Sequence, residues 1–350
     1  MTDATTPTPA PAGFAAQLRG MLRPNAASIE KDIDFATPGA ASLGRDFATF
    51  DPARMARFEA LTRAVVVAAA VVTFAGAWAK GLRIDLGDGA IGLGIAVAMG
   101  AIALVYHRWR PAPRLAAGAQ MLAEQMLYGV LFIYFSYVAV AFGGAEQAPL
   151  LARIDAWLGF DWRAYRDAID AIPALRAVMQ ECYVSIAWQN MLIPVALIVC
   201  GRLGWTRVFM NTFALGCAAT MVIAMLLPAV DAQGFYVFDV LRDQRPITGA
   251  AITDDYLAIR GGLMTSLDFA AMTGIISFPS FHTYLALLYI VCLWPLRRAR
   301  WLLIPVNLML IAATPKFGFH FLADTIGGAL LAALVLAPTL AWLRRPPAAL

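Results

Sequence analysis

Residues 277–296 read Ser-Phe-Pro-Ser-Phe-His-Thr-Tyr-Leu-Ala-Leu-Leu-Tyr-Ile-Val-Cys-Leu-Trp-Pro-Leu, a short polar opening followed by an apolar run. Its Phe278-Pro279-Ser280-Phe281-His282-Thr283 start has a counterpart in His320-Phe321-Leu322-Ala323-Asp324, which heads the apolar run ending near residue 343. The chain has three histidines, and two of them stand at these positions. Runs of this kind approach the ~20 residues that an α-helix needs to cross hydrocarbon. Reading both as membrane helices decides the fold class: all-α, a polytopic membrane helix bundle.

The remaining sequence extends that reading. Of 350 residues, 61% are hydrophobic and 14% charged, against about 25% charged in soluble domains. Apolar segments at about 62–79, 90–106, 118–142, 178–200, 206–228, 277–296, 301–318 and 322–343 predict about eight spans. The seventh is interrupted by Pro305 and Pro315, which membrane helices tolerate better than soluble ones. Residues 1–55 lack sustained apolar periodicity. They read as a cytoplasmic tail, partly disordered, with Asp51-Pro52 able to start a short helix through Met55, Phe58 and Leu61. The membrane-embedded domain is expected over residues 56–345.

Loop charge orients the bundle. Arg108, Arg110 and Arg114; Arg202 and Arg207; Arg297, Arg298 and Arg300; and Arg344 and Arg345 lie in four short segments without an acidic residue. By the positive-inside rule these are cytoplasmic, as are both termini. The alternate loops, about 80–89, 143–177, 229–276 and 316–321, then face outward. Loop 229–276 lacks an obvious strong secondary-structure pattern, and loops of that length are uncommon unless functional. Residues 154–162, rich in aromatic and apolar side chains, read as an amphipathic segment at the outer interface or as a lid. The net charge of +4 is small, and no nucleic-acid partner is expected. Cys182, Cys200, Cys217 and Cys292 make no metal-ligand spacing and read as apolar helix residues.

Both histidine stretches then lie at outer helix starts. Pro279 suits the first position of a helix, with Ser277 as a possible cap. Ser280 and His282 fall in the first turn, where free N–H groups favour an anion. Four residues apart on a helix, His320 and Asp324 share a face. The carboxylate can hold one ring nitrogen and leave the other to attack. Lys316, just upstream, is a candidate for phosphate oxygens. Glu124, Gln125, Glu181, Gln189 and Asn190 are polar residues within spans. They suit either a headgroup pocket or interhelical hydrogen bonds.

Together, Pro-Ser-x-His and His-x-x-x-Asp resemble the last two signatures of the type 2 phosphatidic acid phosphatase superfamily. Phe281 and the Phe-Pro-Ser-Phe-His context are similar to the branch containing fungal inositol phosphorylceramide synthases. The resemblance implies a six-helix core over about 118–343 and metal-independent phosphoryl transfer without a cofactor. His320 would be the nucleophile, Asp324 its orienter and His282 the acid, with Ser280 on the phosphate. The implied substrate is a lipid phosphate or phosphodiester, the acceptor an alcohol or water, and the location a bacterial inner membrane with the site facing the periplasm or exterior. Two signatures depart from the family. Ala313 and Thr314 stand where Ser-Arg is usual, leaving Lys316 as the substitute cation. Arg245-Pro246 matches the end of Lys-x6-Arg-Pro, but Phe238 replaces the lysine, with Arg260 as an alternative clamp. The expected activity is a lipid phosphate phosphotransferase. The alternatives are a phosphatase and a lipid or solute transporter.

Overall fold

A computed structural model describes residues 49–243 and 248–344. The tail expected over residues 1–55 lies outside it up to residue 48, as do Arg245 and Arg345. In chain order the helices are α1 (Pro52–Ala79), α2 (Gly89–Arg108), α3 (Pro113–Phe142), α4 (Ala148–Trp157), α5 (Trp162–Asp170), α6 (Pro173–Val199) and α7 (Leu203–Leu226). Then follow α8 (Ala232–Tyr236), α9 (Val240–Asp243), α10 (Ala251–Arg260), α11 (Phe281–Leu293), α12 (Ala299–Phe317) and α13 (Leu322–Leu343). Strands β1 (Arg83–Asp85) and β2 (Ser266–Asp268) pair in parallel, Arg83 opposite Ser266, and add a small sheet to the all-helical architecture.

Six of the described helices, α1, α2, α3, α6, α7 and α13, are long and apolar enough to cross a membrane. These are the helices of an integral membrane protein. The two other segments expected to span form the 13-residue α11 and the 19-residue α12. The expected short helix at Asp51 is continuous with the first span. Asp51 accepts hydrogen bonds from Ala53 N (2.8 Å) and Arg54 N (3.1 Å), and Pro52 occupies the first turn, so nothing breaks the helix before Ala79.

Lipid tails are as apolar as leucine, so close packing and interhelical hydrogen bonds hold such bundles together. A core of Phe209, Tyr284, Leu288, Tyr289 and Leu293 joins α7 to α11, with Phe209 and Tyr289 stacked at 5.9 Å. Gln125 Nε2 donates to the Asn190 carbonyl (2.9 Å), and Asn307 Nδ2 donates to Gln189 Oε1 (2.7 Å). Gln125, Gln189 and Asn190 therefore act between helices, each contact contributing about 0.6 kcal/mol. Glu124 accepts from Gln120 within α3, and Glu181 is exposed.

The arginine-bearing connections and the histidine-bearing starts of α11 and α13 fall at opposite ends of the helices. At the histidine end, the described parts of loop 229–276 carry more local structure than their sequence predicts. Asp231 caps α8 through Gly234 N (2.9 Å), and Asp254 gathers the Thr248 and Gly249 amides at the entry to α10. Local side-chain bonds of this kind leave no periodic hydrophobic signal.

Candidate active site

Two helix starts form the site, and each begins later than its sequence implies. Ser280, not Ser277, is the N-cap of α11: its backbone is extended, and its Oγ accepts weakly from Thr283 N (3.4 Å). Pro279 precedes the helix, across a cis Phe278–Pro279 bond. His282 is left in the first turn. Likewise α13 begins at Leu322, so His320 lies outside the helix and cannot share a helical face with Asp324. The two meet by capping geometry instead. Asp324, in the first turn, folds back so that Oδ2 accepts from Phe321 N (3.0 Å) and lies 3.2 Å from His320 Nδ1. Ser277 Oγ donates to the same oxygen at 2.6 Å. Asp324 Oδ1 is buried and has no hydrogen-bond partner among the described residues.

The two stretches are thereby joined. Ser280 N donates to the Asp324 carbonyl (3.0 Å). The His282 and His320 rings meet edge to face with centroids 5.7 Å apart. His320 is 2% exposed and Asp324 fully buried, so a charge developing here is screened little by water. With Nδ1 turned to Asp324, His320 keeps Nε2 for a reacting group.

Gly328 lets the two helix starts approach. It lies one turn beyond Asp324, and a Cβ there would stand 2.2 Å from the Ser280 carbonyl oxygen and 3.0 Å from Thr283 Cβ. Gly328→Ala should favour the isolated helix by up to about 1 kcal/mol, yet overpack this contact at a cost of about 1–3 kcal/mol or more. Because the obstacle is backbone, the second effect wins. Thermal unfolding in detergent should show a lower midpoint; a higher one would contradict the contact.

The turn into His320 is also strained. Phe319 has φ of 54°, uncommon for a bulky residue and typical of functional sites. Beside it, a Cβ on Gly318 would lie 2.8 Å from His320 Cδ2 and 2.9 Å from Tyr183 Oη.

Tyr183 was not legible as a site residue. Its ring stacks on His282 at 4.8 Å, and its hydroxyl lies 2.9 Å from His282 Nε2. Nothing in the α6 sequence distinguishes it from an ordinary membrane tyrosine. Asp155 was equally unmarked, inside a segment read from its aromatic residues. It is fully buried and accepts from Leu322 N (2.9 Å) and Ala323 N (2.8 Å). Burial, with nearby Asp324 adding to it, raises Asp155 to about 6 against the lowering effect of these two N–H groups. Both of its oxygens accept N–H bonds, the arrangement that suits a carboxylate.

Of the expected cations, the described Lys316 and Arg260 are engaged away from the histidines. Lys316 pairs with Asp170 of α5. Arg260 donates Nη1 to the Gly143 carbonyl (2.6 Å) and Nη2 to that of Gly144 (2.8 Å), at the end of α3. Ser280 is fully buried beneath Thr283. Thr314, in the place of the usual arginine, turns its hydroxyl to the Leu310 carbonyl. Among the described residues, no cluster of His, Cys, Asp and Glu is arranged to hold a metal ion.

Two histidines, His320 buried and His282 half-buried, thus stand together at two helix starts inside a bundle of membrane-length helices. The family model of the PAP2 superfamily matches residues 149–337, more than half of the chain, and the chain belongs to the PAP2 superfamily. Membership implies a lipid phosphate substrate. No curated protein and no solved structure matches the chain.

Proposed function

We propose that this protein is a membrane-embedded lipid phosphate phosphotransferase working at the extracytoplasmic face through a phosphohistidine. The observation that carries the reading is the buried His320–Asp324 contact with the His282 ring 5.7 Å from His320. The His320 Nε2 lone pair attacks phosphorus while the P–O bond to the leaving group breaks. His282 gives its proton to that leaving oxygen. An acceptor hydroxyl then attacks, the P–N bond breaks, and His282 takes the acceptor's proton. The Asp324 carboxylate holds Nδ1–H and offsets the positive charge on the phosphorylated ring.

In this reading the bundle has eight spans with both termini cytoplasmic, and the arginine-rich connections at the opposite end support an outward-facing site. The catalytic domain is then residues 56–345, with its core over about 118–343, in a bacterial inner membrane. Ser280 and the amides of its turn are assigned to phosphate oxygens. Lys316, Arg260 and Arg245 remain the cations of this reading. The first two would serve the phosphate only after leaving Asp170 and the α3 carbonyls. Phe281, whose ring stacks on Tyr284 at 5.6 Å, supports a likeness to the inositol phosphorylceramide synthase branch and hence an alcohol acceptor.

The purified protein should act on a panel of lipid phosphates and phosphodiesters, with and without alcohol acceptors. Headgroup exchange is the expected result. Release of inorganic phosphate alone would replace transferase by phosphatase, and inactivity on every lipid would sink both.

A further inference from the structure

Helices α4 and α5 do not lie apart from the bundle as an independent interfacial segment. Their side chains grip the stretch that carries His320 at several points. Tyr165 Oη donates to the Ala312 carbonyl (2.6 Å), and the buried Trp162 Nε1 donates to the Pro315 carbonyl (2.9 Å). Asp170 holds Lys316. Beyond the histidine, Asp155 accepts from Leu322 N and Ala323 N. Ala232 N donates to the Phe319 carbonyl at 2.7 Å from a different loop.

The two amides that Asp155 binds need a partner from elsewhere. The first N–H groups of a helix have no acceptor within it, and the N-cap side chain commonly supplies one. Here the N-cap is Phe321, which has no side-chain oxygen. Asp324 satisfies Phe321 N alone. A carboxylate 167 positions away in the chain fills the vacancy, and its charge sits favourably at the positive end of α13.

We propose that Asp155 is a positioning residue for the His320 nucleophile, a cap supplied by α4 that sets where the strained turn at Phe319 becomes α13. The proposal rests on the phosphohistidine reading. Asp155 acts through the backbone of Leu322 and Ala323, two and three residues from His320. Misplacing a reacting group by about 1 Å costs on the order of 100-fold in rate. Loss of Asp155 should therefore lower kcat and leave KM nearly unchanged.

The test compares wild type, Asp155→Ala and Asp155→Asn on the lipid phosphate that the wild-type enzyme turns over best. It includes hydrogen–deuterium exchange of peptides covering 316–325. Both variants should show kcat reduced about 10- to 100-fold, KM within about 3-fold of wild type and faster amide exchange confined to that stretch. The asparagine variant leaves no cavity, so it carries the test if the alanine variant does not fold. Unchanged kcat, or a raised KM at unchanged kcat, overturns the proposal, and so does unchanged exchange. Exchange is read without turnover, so a wild-type protein inactive on every lipid would sink the functional reading, while unchanged exchange would overturn the cap separately.

Discussion

His320→Ala should lower turnover of the preferred lipid phosphate by about 10⁴-fold or more, to background. Removing a nucleophile removes the covalent route itself, and in triad enzymes such losses are among the largest that single substitutions produce. The fold should survive, because His320 contributes one 3.2 Å contact to Asp324, while Ser277 and Phe321 N continue to hold that carboxylate. Wild type incubated with a ³²P-labelled lipid phosphate should yield an acid-labile, alkali-stable phosphoenzyme, the lability expected of phosphohistidine. An aspartyl phosphate has the reverse lability. The variant should yield no such species while unfolding near the wild-type temperature. Full activity in the variant would remove the mechanism, and an alkali-labile adduct would move the nucleophile to a carboxylate.

Asp324→Asn separates orientation from charge. One asparagine oxygen can take the place of Oδ2 and accept from His320, Ser277 and Phe321 N. The amide then falls at Oδ1, which has no partner among the described residues. Geometry is retained and the negative charge is lost. If the carboxylate serves mainly to hold Nδ1–H and offset the positive phosphorylated ring, kcat should fall about 10⁴-fold, the loss when the acid of a serine-protease triad is made an amide. The buried unpaired amide should also cost about 1–3 kcal/mol of stability. Rate measurements combined with thermal unfolding resolve the two effects. Activity within 10-fold of wild type would show that position, not charge, is what Asp324 supplies.

Much of the site was legible because it is written in rare residues. Histidines are few in this chain, and their spacing from Pro279, Ser280 and Asp324 is local. Neither helix starts at the first residue of its motif. Proline and serine near 279 suit several cap registers, and only the extended backbone of Ser280 selects one. The His320–Asp324 spacing is the same for a shared helical face and for a capping turn, so the sequence specifies the contact but not its geometry. The cations were harder. Lys316 and Arg260 have side chains long enough to reach several acceptors, and sequence does not show that Asp170 and the α3 carbonyls engage them.

The sequence by itself determined that the chain is a bundle of membrane-length helices with two histidine-bearing starts at one end. Hydrophobic length and rare polar residues are local properties, and local properties survive in one dimension. Only the tertiary structure decided that α11 and α13 touch at Gly328, that Tyr183 stacks on His282, and that Asp155 caps the helix beside His320. Each of those contacts joins groups far apart in the chain. Each is made by a residue type too common in such positions to announce its partner, and only the packing of the helices brings the two together.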